Sequence, residues 1–173
     1  MQTKTINLYT IDELKTQFPK GYDNAIEKYQ EQNDYYFLEE CLTDDLSELL
    51  KENGITADKY DIRYSLSYCQ GDGAMFELTN AVWSKYPNYY INVKHDGRYY
   101  HSNSKTIFMY DDEENYADDD IIEEFNQLYK TICAKLEKYG YSFIESENDE
   151  TNIMENMNAN DYTFTASGHF ERA

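Results

Sequence analysis

A chain of 173 residues has the length of one ordinary domain, and 34 acidic against 15 basic side chains give it a net charge of -19. This charge argues against direct binding of DNA, RNA or anionic lipid through a basic patch, and it favours a cationic partner. No apolar run approaches the roughly 20 residues that cross a bilayer, and the first ten residues lack a secretory signal pattern, so we expect a soluble, cytoplasmic protein. Cys41, Cys69 and Cys133 are too widely spaced for a disulfide framework or a zinc site and are expected to be reduced thiols.

The N-terminal third of the chain is predicted to be helical. Residues 10–13 have the Thr-x-x-Glu form of a capping box, which predicts a short helix that ends before Pro19. A second helix is predicted over residues 22–32. A third is predicted over residues 36–52, where four leucines recur at helical spacing and a glycine follows as a stop signal.

The middle of the chain changes to the two-residue period of strands. Apolar and polar side chains alternate over residues 61–69 and again over residues 74–78. The intervening residues 70–73, Gln-Gly-Asp-Gly, predict the turn of a first hairpin. They lack the Lys and Ser/Thr of a phosphate-binding P-loop and precede a strand pattern, so the hairpin turn is favoured over a phosphate cradle.

A second hairpin is predicted immediately afterwards. Its first strand covers residues 89–93, and His95-Asp96-Gly97 supplies the turn. The return strand is predicted to begin at residues 98–100 and to be extended by residues 106–110. The two hairpins together would form an antiparallel sheet.

A long amphipathic helix is predicted from Asp118 to Gly140, with Ile121, Phe125, Leu128, Ile132, Leu136 and Tyr139 on one apolar stripe. An acidic polar stretch follows through residue 150. A short helix around residues 153–157 and a last strand over residues 162–165, turned by Gly168, complete the prediction.

These elements predict an α+β fold class: an antiparallel sheet of about four to five strands built from two hairpins, with N-terminal helices and one long amphipathic helix packed on it. No internal repeat or Gly/Ser linker divides the chain, so residues 1–173 are placed in a single acidic α+β domain.

The acidic charge is concentrated outside the predicted sheet. Residues 1–60 carry 13 acids and 6 bases, residues 61–110 carry 4 and 5, and residues 111–173 carry 17 and 4. The sheet region is therefore nearly neutral, and the helical ends of the chain are expected to present an acidic face.

The candidate partner-binding residues are acids in two groups. The first is nine carboxylates within fourteen residues that contain no Lys or Arg: Asp111, Asp112, Glu113, Glu114, Asp118, Asp119, Asp120, Glu123 and Glu124. The second is Glu145, Glu147, Asp149 and Glu150. Solvation of the surface, and attraction of acids to a helix N-terminus, are the alternative explanations. The spacing does not fit a calcium loop, and no metal site is predicted.

Neither the histidines nor the acids form a catalytic pattern. His95, His101 and His169 have no His-x-x-x-His spacing and no nucleophile motif beside them. Pairs of carboxylates are unavoidable in so acidic a chain and carry no information. We assign no catalytic residue and no cofactor, and we expect a protein that is not an enzyme.

Two segments carry a resemblance to known proteins. Ser65-Leu66-Ser67-Tyr68-Cys69-Gln70-Gly71-Asp72-Gly73-Ala74-Met75-Phe76 resembles a segment of small acidic phage and prophage proteins, mostly without assigned function, although Cys69 stands where Ser is expected. Residues 160–165, Asn-Asp-Tyr-Thr-Phe-Thr, followed by Gly168, are similar to the end of such proteins. By analogy of class, the resemblance implies an anti-CRISPR or anti-restriction protein in the cytoplasm of a bacterial host.

The leading hypothesis is an inhibitor of host defence that mimics DNA. The acidic groups would occupy the Lys- and Arg-lined channel of a basic nucleic-acid-binding protein, such as a defence nuclease, because DNA presents one charge per roughly 1.7 Å of helix axis. Asp119 and Glu123 would be neighbours about 5 to 6 Å apart on a helix. The alternative is a non-enzymatic protein- or nucleic-acid-binding module that uses a Tyr-rich sheet through Tyr90, Tyr99 or Tyr100, unless these rings only pack the fold.

Overall fold

The structure, a computed structural model, describes residues 7–171. Its helices are α1 (Ile11–Gln17), α2 (Pro19–Glu31), α3 (Leu38–Glu52), α4 (Asp119–Glu147) and α5 (Glu150–Ala159). Its strands are β1 (Ile55–Thr56), β2 (Lys59–Ser65), β3 (Gly73–Trp83), β4 (Tyr90–His95), β5 (Lys105–Tyr110), β6 (Thr163–Phe164) and β7 (Phe170–Glu171). Helices together with a five-stranded antiparallel sheet confirm the predicted α+β class.

The chain divides into two compact units. We call residues 36–143 the central unit, and the described parts of residues 1–35 and 144–173 the terminal unit. The placement of all residues in one domain stays a prediction.

The terminal unit begins with the predicted capping box. The Thr10 hydroxyl accepts a hydrogen bond from the backbone N–H of Glu13 at 3.3 Å, and the Glu13 carboxylate accepts one from the backbone N–H of Thr10 at 2.8 Å. Two N–H groups that have no partner inside the helix are satisfied in this way, which confirms the predicted start of α1. α2 starts at Pro19, three residues earlier than predicted, because Pro has no N–H to lose in a first turn.

Helices α1, α2 and α5 and strand β6 form the core of the terminal unit. Its buried residues are Ile11, Leu14, Tyr22, Ala25, Ile26, Ile153, Met157 and Phe164. α5 extends beyond the predicted residues 153–157 at both ends, and Asp149 caps it. Gly168 has φ +80° between β6 and β7, and a Cβ there would collide with the carbonyl oxygen of Gly21, so the predicted turn at Gly168 is confirmed.

The central unit is built on β3, the long middle strand. β2 pairs with β3 from Lys59 opposite Thr79 to Ser65 opposite Gly73, and β1 pairs with the far end of the same edge. The first hairpin is therefore confirmed, although β2 ends at Ser65 and residues 66–72 form a longer turn than predicted.

The second hairpin is confirmed with a different return strand. β4 pairs with β5 from Tyr90 opposite Tyr110 to His95 opposite Lys105. The predicted return at residues 98–100 is wrong, because residues 96–104 form a loop that closes with a 3.0 Å bond from the N–H of Asp96 to the carbonyl of Ser104. The local His-Asp-Gly turn signal does not reveal the length of this loop.

α4 packs along the sheet and is longer than predicted. Its buried positions in the central unit include Phe125, Ile132 and Leu136, as predicted, but Tyr129 is buried where Leu128 was expected, and Tyr139 is 39% exposed. The predicted end at Gly140 is also wrong. Gly140 lies inside the helix, where a Cβ would collide with the Leu66 side chain, so this glycine serves close packing and does not stop the helix.

Two aromatic side chains join α4 to β3. The buried Tyr129 hydroxyl donates to the carbonyl of Phe76 at 2.9 Å and accepts from its N–H at 3.1 Å. Burial raises the pKa of this hydroxyl, and burial raises the pKa of the Cys133 thiol to about 12. Trp83 packs edge to face on Phe125 with ring centroids 5.6 Å apart, and its indole N–H donates to the carbonyl of Asn53 at 3.1 Å.

The other face of the sheet carries half-buried and exposed polar and aromatic residues. Along β4, Ile91 and Val93 are buried, whereas Tyr90 and Lys94 are exposed and Asn92 is half-buried. Since successive side chains of a strand point to opposite faces, Tyr90, Asn92 and Lys94 lie on the face away from this buried layer. We call this the open face.

Candidate functional site

The antiparallel strands place the loops of the central unit at two opposite ends of the sheet. Residues 66–72 and 96–104 connect strands at one end, which we call the turn end. Residues 84–89 and 111–118 lie at the other end, which we call the acidic end because it carries the first acidic group. This group, nine carboxylates from Asp111 to Glu124, is called the acidic segment.

Asp111 shapes the loop of the acidic segment. Its carboxylate accepts from the backbone N–H groups of Asn115 and Glu113, both at 2.9 Å, and from the Asn115 amide. The N–H and side chain of Asn115 hold the pKa of this carboxyl below its ordinary value. Glu114 has φ +64°, so the chain turns sharply there. Asp111 is thus a structural residue of the loop.

Glu123 and Glu124 also have partners within the central unit. Glu124 forms an ion pair with Lys85 and accepts from the Tyr86 hydroxyl at 2.7 Å, and these contacts, Lys85 first, lower its pKa. Glu123 accepts from Gln127 and Asn126 on the next turn of α4, which lowers its pKa. Both glutamates therefore tie α4 to itself or to the loop before β4.

The remaining acids of the segment are exposed. The nearby carboxylate of Asp112 raises the pKa of Tyr90. Within residues 7–171, no side-chain hydrogen bond or ion pair involves the carboxylates of Glu114, Asp118, Asp119 and Asp120. The positive end of α4 stabilises the last three locally. These four carboxylates are free to meet a cation from outside.

The second acidic group lies at the end of α4 and the start of α5, in the terminal unit. Asp149 caps α5 by accepting from the N–H groups of Thr151 and Asn152 at 2.9 and 3.3 Å. Glu150 accepts from Tyr22 and Lys15, and these bonds, Tyr22 first, lower its pKa. Glu145 is exposed and Glu147 half-buried. Two of these four acids thus have a role within the terminal unit.

The three candidate tyrosines do not form one surface. Tyr90 begins β4 on the open face at the acidic end, and its ring centroid is 6.3 Å from that of Tyr110. Tyr99 and Tyr100 lie in the loop at the turn end, where Tyr99 is 45% exposed. The placement of Tyr99 and Tyr100 on a strand beside Tyr90 is therefore wrong.

A cleft of about 470 Å³ opens beside Tyr90. Its lining is Thr56, Ala57, Asp58, Asn80, Val82, Tyr90 and Tyr110. It combines two aromatic rings, one carboxylate and one amide, and we call it the tyrosine cleft. Tyr90 is also the residue whose pKa the Asp112 carboxylate of the acidic segment raises.

A β-bulge builds one wall of the tyrosine cleft. The pairing of β3 with β4 shifts register between Leu78 and Ala81, and Asn80 takes φ +48° there. The N–H of Asn80 donates to the Asn92 side chain at 3.0 Å, and its amide donates to the Asp58 carboxylate at 3.0 Å. Bulges commonly redirect side chains beside binding sites, and an asparagine tolerates the left-handed backbone better than most residues.

The turn end uses its carboxylate in a different way. Asp72 accepts from the backbone N–H groups of Ser67 at 2.6 Å and Cys69 at 3.0 Å, and from the Ser65 hydroxyl at 3.1 Å. The Tyr141 hydroxyl of α4 donates to it at 2.6 Å. Desolvation opposes ionisation of Asp72, but these hydrogen bonds, Tyr141 first, outweigh it and lower its pKa. The Gln-Gly-Asp-Gly segment is therefore a structural turn.

One further acidic row was missed by the sequence analysis. Glu40, Asp44 and Glu48 follow one another at a spacing of four on the exposed side of α3, and Asp45 lies beside them. Burial, with the charges of Glu48 and Asp44, raises the pKa of Asp45. The signal was present in the spacing, but the row is interspersed with the buried leucines of the same helix.

In the described part of the chain, no group of three or more His, Cys, Asp and Glu side chains is placed to hold a metal ion. No helix between residues 7 and 171 has the length and apolar character needed to cross a membrane. Comparison of the chain with protein-family models, with curated proteins and with solved structures found no match.

Proposed function

We propose that this protein is a non-enzymatic inhibitor that binds a basic nucleic-acid-binding protein, and that the acidic segment is its binding surface. The partner is a nuclease of a bacterial defence system, of the CRISPR or restriction type, and a phage-derived inhibitor occupies its DNA channel in the cytoplasm of the host. The anti-defence role rests on the resemblance of residues 65–76 to phage proteins and on the charge of the chain.

The observation that carries this proposal is the difference among the acids of the segment. Asp111, Glu123 and Glu124 are engaged by neighbouring side chains or N–H groups. Glu114, Asp118, Asp119 and Asp120 are exposed and have no ion pair among the described residues. A run of uncompensated carboxylates destabilises itself by repulsion, and a basic partner would relieve that repulsion.

The acids that have hydrogen-bond or ion-pair partners hold the exposed acids of the segment in position. The bonds to Asp111 shape the loop, and the contacts of Glu124 fix the first turns of α4 against residues 85 and 86. Carboxylates on a rigid loop and helix start lose less side-chain and backbone freedom on binding than carboxylates on a disordered tail. This preorganisation favours a defined binding surface over a merely solvated one.

The test is capture from a lysate of a bacterium that carries defence nucleases, with the protein immobilised and elution by a salt gradient. We expect basic nucleic-acid-binding proteins to be retained, to elute steeply with salt, and to be displaced by added double-stranded DNA. The variant Glu114→Gln with Asp118→Asn, Asp119→Asn and Asp120→Asn should weaken binding of the captured partner by about 100-fold, since each exposed charge pair contributes up to about 1 kcal/mol.

The matched control removes the same four charges from α3, through Glu40→Gln, Asp44→Asn, Glu48→Gln and Glu52→Gln. All four of these residues are exposed. If both variants weaken capture equally, only the total charge matters, and the acidic segment is not the binding surface. If no basic protein is retained, or if DNA does not displace it, the inhibitor proposal is overturned.

The tyrosine cleft favours a second candidate function, a module that binds a protein or single-stranded nucleic acid through its open face. Tyr90 and Tyr110 would then supply the binding energy by stacking. Such a complex should weaken little with salt, and Tyr90→Leu should damage it while the charge variant of the acidic segment leaves it intact. The salt gradient and the charge variant of the acidic segment distinguish the candidates.

A further inference from the structure

The tyrosine cleft has the chemistry of a site for a planar cation. Its lining contains the Asp58 carboxylate and the rings of Tyr90 and Tyr110, and includes no Lys, Arg or His. The carboxylate of Asp112, which raises the pKa of Tyr90, adds a second negative charge near the cleft. Negative potential of this kind repels phosphate and attracts cationic groups.

The side chains that line the cleft are held in place before any ligand arrives. The Asp58 carboxylate is fixed by the amide of Asn80 at 3.0 Å, and the Asn80 backbone is fixed by the bulge and by its bond to Asn92. The Tyr110 hydroxyl accepts from the Asn92 amide at 2.8 Å. A carboxylate and aromatic rings whose positions are set by other hydrogen bonds bind a cation at low entropic cost.

A guanidinium fits this set better than an ammonium. Its planar, delocalised cation stacks on tyrosine rings and donates to a carboxylate in the same pose, whereas an ammonium is a compact and strongly hydrated charge. The volume of about 470 Å³ is in the range of small-ligand pockets and suits one long side chain. Arginine is also enriched among the residues that dominate binding energy at protein interfaces.

We propose that the tyrosine cleft binds an arginine side chain of the partner protein. This rests on the proposed function, because a DNA channel is lined with arginine, and it adds a specific anchor to the distributed charge of the acidic segment. Asp58 accepts the guanidinium N–H groups, and Tyr90 and Tyr110 provide the aromatic surface.

The test does not need the partner. The full chain, labelled with nitrogen-15, is titrated with the blocked tripeptide Ac-Gly-Arg-Gly-NH2 and followed by the amide resonances of residues 56–58, 80–82, 90 and 110. Saturable shifts confined to these residues are expected. The same peptide with lysine should bind several-fold more weakly. The peptide with citrulline, which has the shape of arginine without its charge, should give no saturable shift.

Two variants assign the contacts. Asp58→Asn should weaken binding of the arginine peptide about tenfold, because it removes a charged acceptor of hydrogen bonds. Asp44→Asn, which removes one exposed carboxylate from α3, is the matched control and should leave the affinity unchanged. Tyr90→Leu keeps an apolar side chain of moderate size without a ring and should weaken binding several-fold. Unchanged circular dichroism shows that each variant is folded.

Three outcomes would overturn the proposal. They are the absence of saturable shifts with the arginine peptide, equal binding of the citrulline peptide, and equal effects of Asp58→Asn and Asp44→Asn. These peptide titrations do not test the proposed inhibitor function. Arginine binding without capture of a basic partner retains the cleft assignment and overturns the inhibitor. Capture that depends on the acidic segment but not on Asp58 retains the inhibitor proposal and overturns the cleft assignment.

Discussion

Asp72 and the aspartates at residues 118–120 lie at opposite ends of the same sheet, and their carboxylates differ in every contact. Asp72 accepts from two backbone N–H groups, a serine hydroxyl and the Tyr141 hydroxyl. The carboxylates at residues 118–120 are exposed, with no ion pair or side-chain hydrogen bond in the described chain. Asp72, which is alone in its sequence neighbourhood, is engaged, whereas the three consecutive aspartates at residues 118–120 are free.

This difference separates acids that hold the fold from acids available to a partner. A carboxylate surrounded by donors cannot be removed without leaving those donors unsatisfied. A carboxylate at a helix start, beside other carboxylates, gains little from the fold and adds to repulsion. The contrast predicts that stability and binding depend on different acids of the central unit.

The largest effect on stability is expected for Asp72→Ala. Several donors of residues 65–69 and the Tyr141 hydroxyl would lose their common acceptor, which should lower the free energy of unfolding by about 3 kcal/mol. Urea denaturation followed by circular dichroism measures this change. Asp44→Ala on the exposed side of α3 is the control, with a change within about 0.5 kcal/mol. Equal losses in the two variants would remove the distinction between engaged and free acids.

The effect of Asp72 should also depend on pH. Its pKa in the folded state lies below the value of about 4 of an unfolded chain, so its contribution is present above that value and is lost as the pH falls through the folded-state pKa. The difference in stability between the wild type and Asp72→Ala should therefore shrink below about pH 4. A difference that stays constant down to pH 2 would contradict the assigned role of the charge.

A smaller loss is expected for Tyr141→Phe. The hydroxyl contributes one of the bonds to Asp72, and desolvation together with that carboxylate raises the pKa of Tyr141 to about 12. Removing it should cost about 1 kcal/mol in the free energy of unfolding. Tyr139→Phe, two residues earlier on the same helix and exposed, should cost nothing measurable. The reverse order in a urea titration would refute the anchoring of the turn by α4.

The smallest effect is expected when the free acids are neutralised. The triple variant combines Asp118→Asn, Asp119→Asn and Asp120→Asn. It loses the attraction of three carboxylates to the start of α4, but it also relieves their mutual repulsion. The free energy of unfolding should therefore stay nearly constant. The same triple variant should nevertheless lose affinity for a basic partner. Substantial unfolding of this variant at low salt would place these aspartates among the structural acids.

Much of the fold follows from local sequence patterns. The capping box, the leucine spacing of α3 and the two-residue period of β2 to β4 identify elements that exist, with shifted strand ends, because each pattern reflects contacts between near neighbours. Gly140 shows where prediction from local patterns fails. A glycine after an apolar stripe usually stops a helix, but here the absence of a Cβ admits Leu66 from a distant part of the chain.

The candidate site was less predictable for the same reason. Counting charges located the acidic segment but could not separate Glu124, which pairs with Lys85 thirty-nine positions earlier, from its free neighbours. The tyrosine cleft depends on strand pairing on both edges of β3: β2 brings Asp58 beside Asn80, and the register with β4 shifts at Asn80. No sequence pattern near Asn80 predicts that register shift, because it arises from the pairing of strands whose residues are distant in the sequence.

The packing of Trp83 gives the molecule a built-in optical reporter. It is the one tryptophan of the chain, and both its ring partner Phe125 and its hydrogen-bond acceptor at Asn53 belong to the central unit. Fluorescence excited selectively at tryptophan therefore follows the melting of residues 36–143, whereas far-ultraviolet dichroism follows helices of the whole chain. Denaturation curves recorded by the two methods will coincide if the units unfold together and will separate if each unit melts by itself.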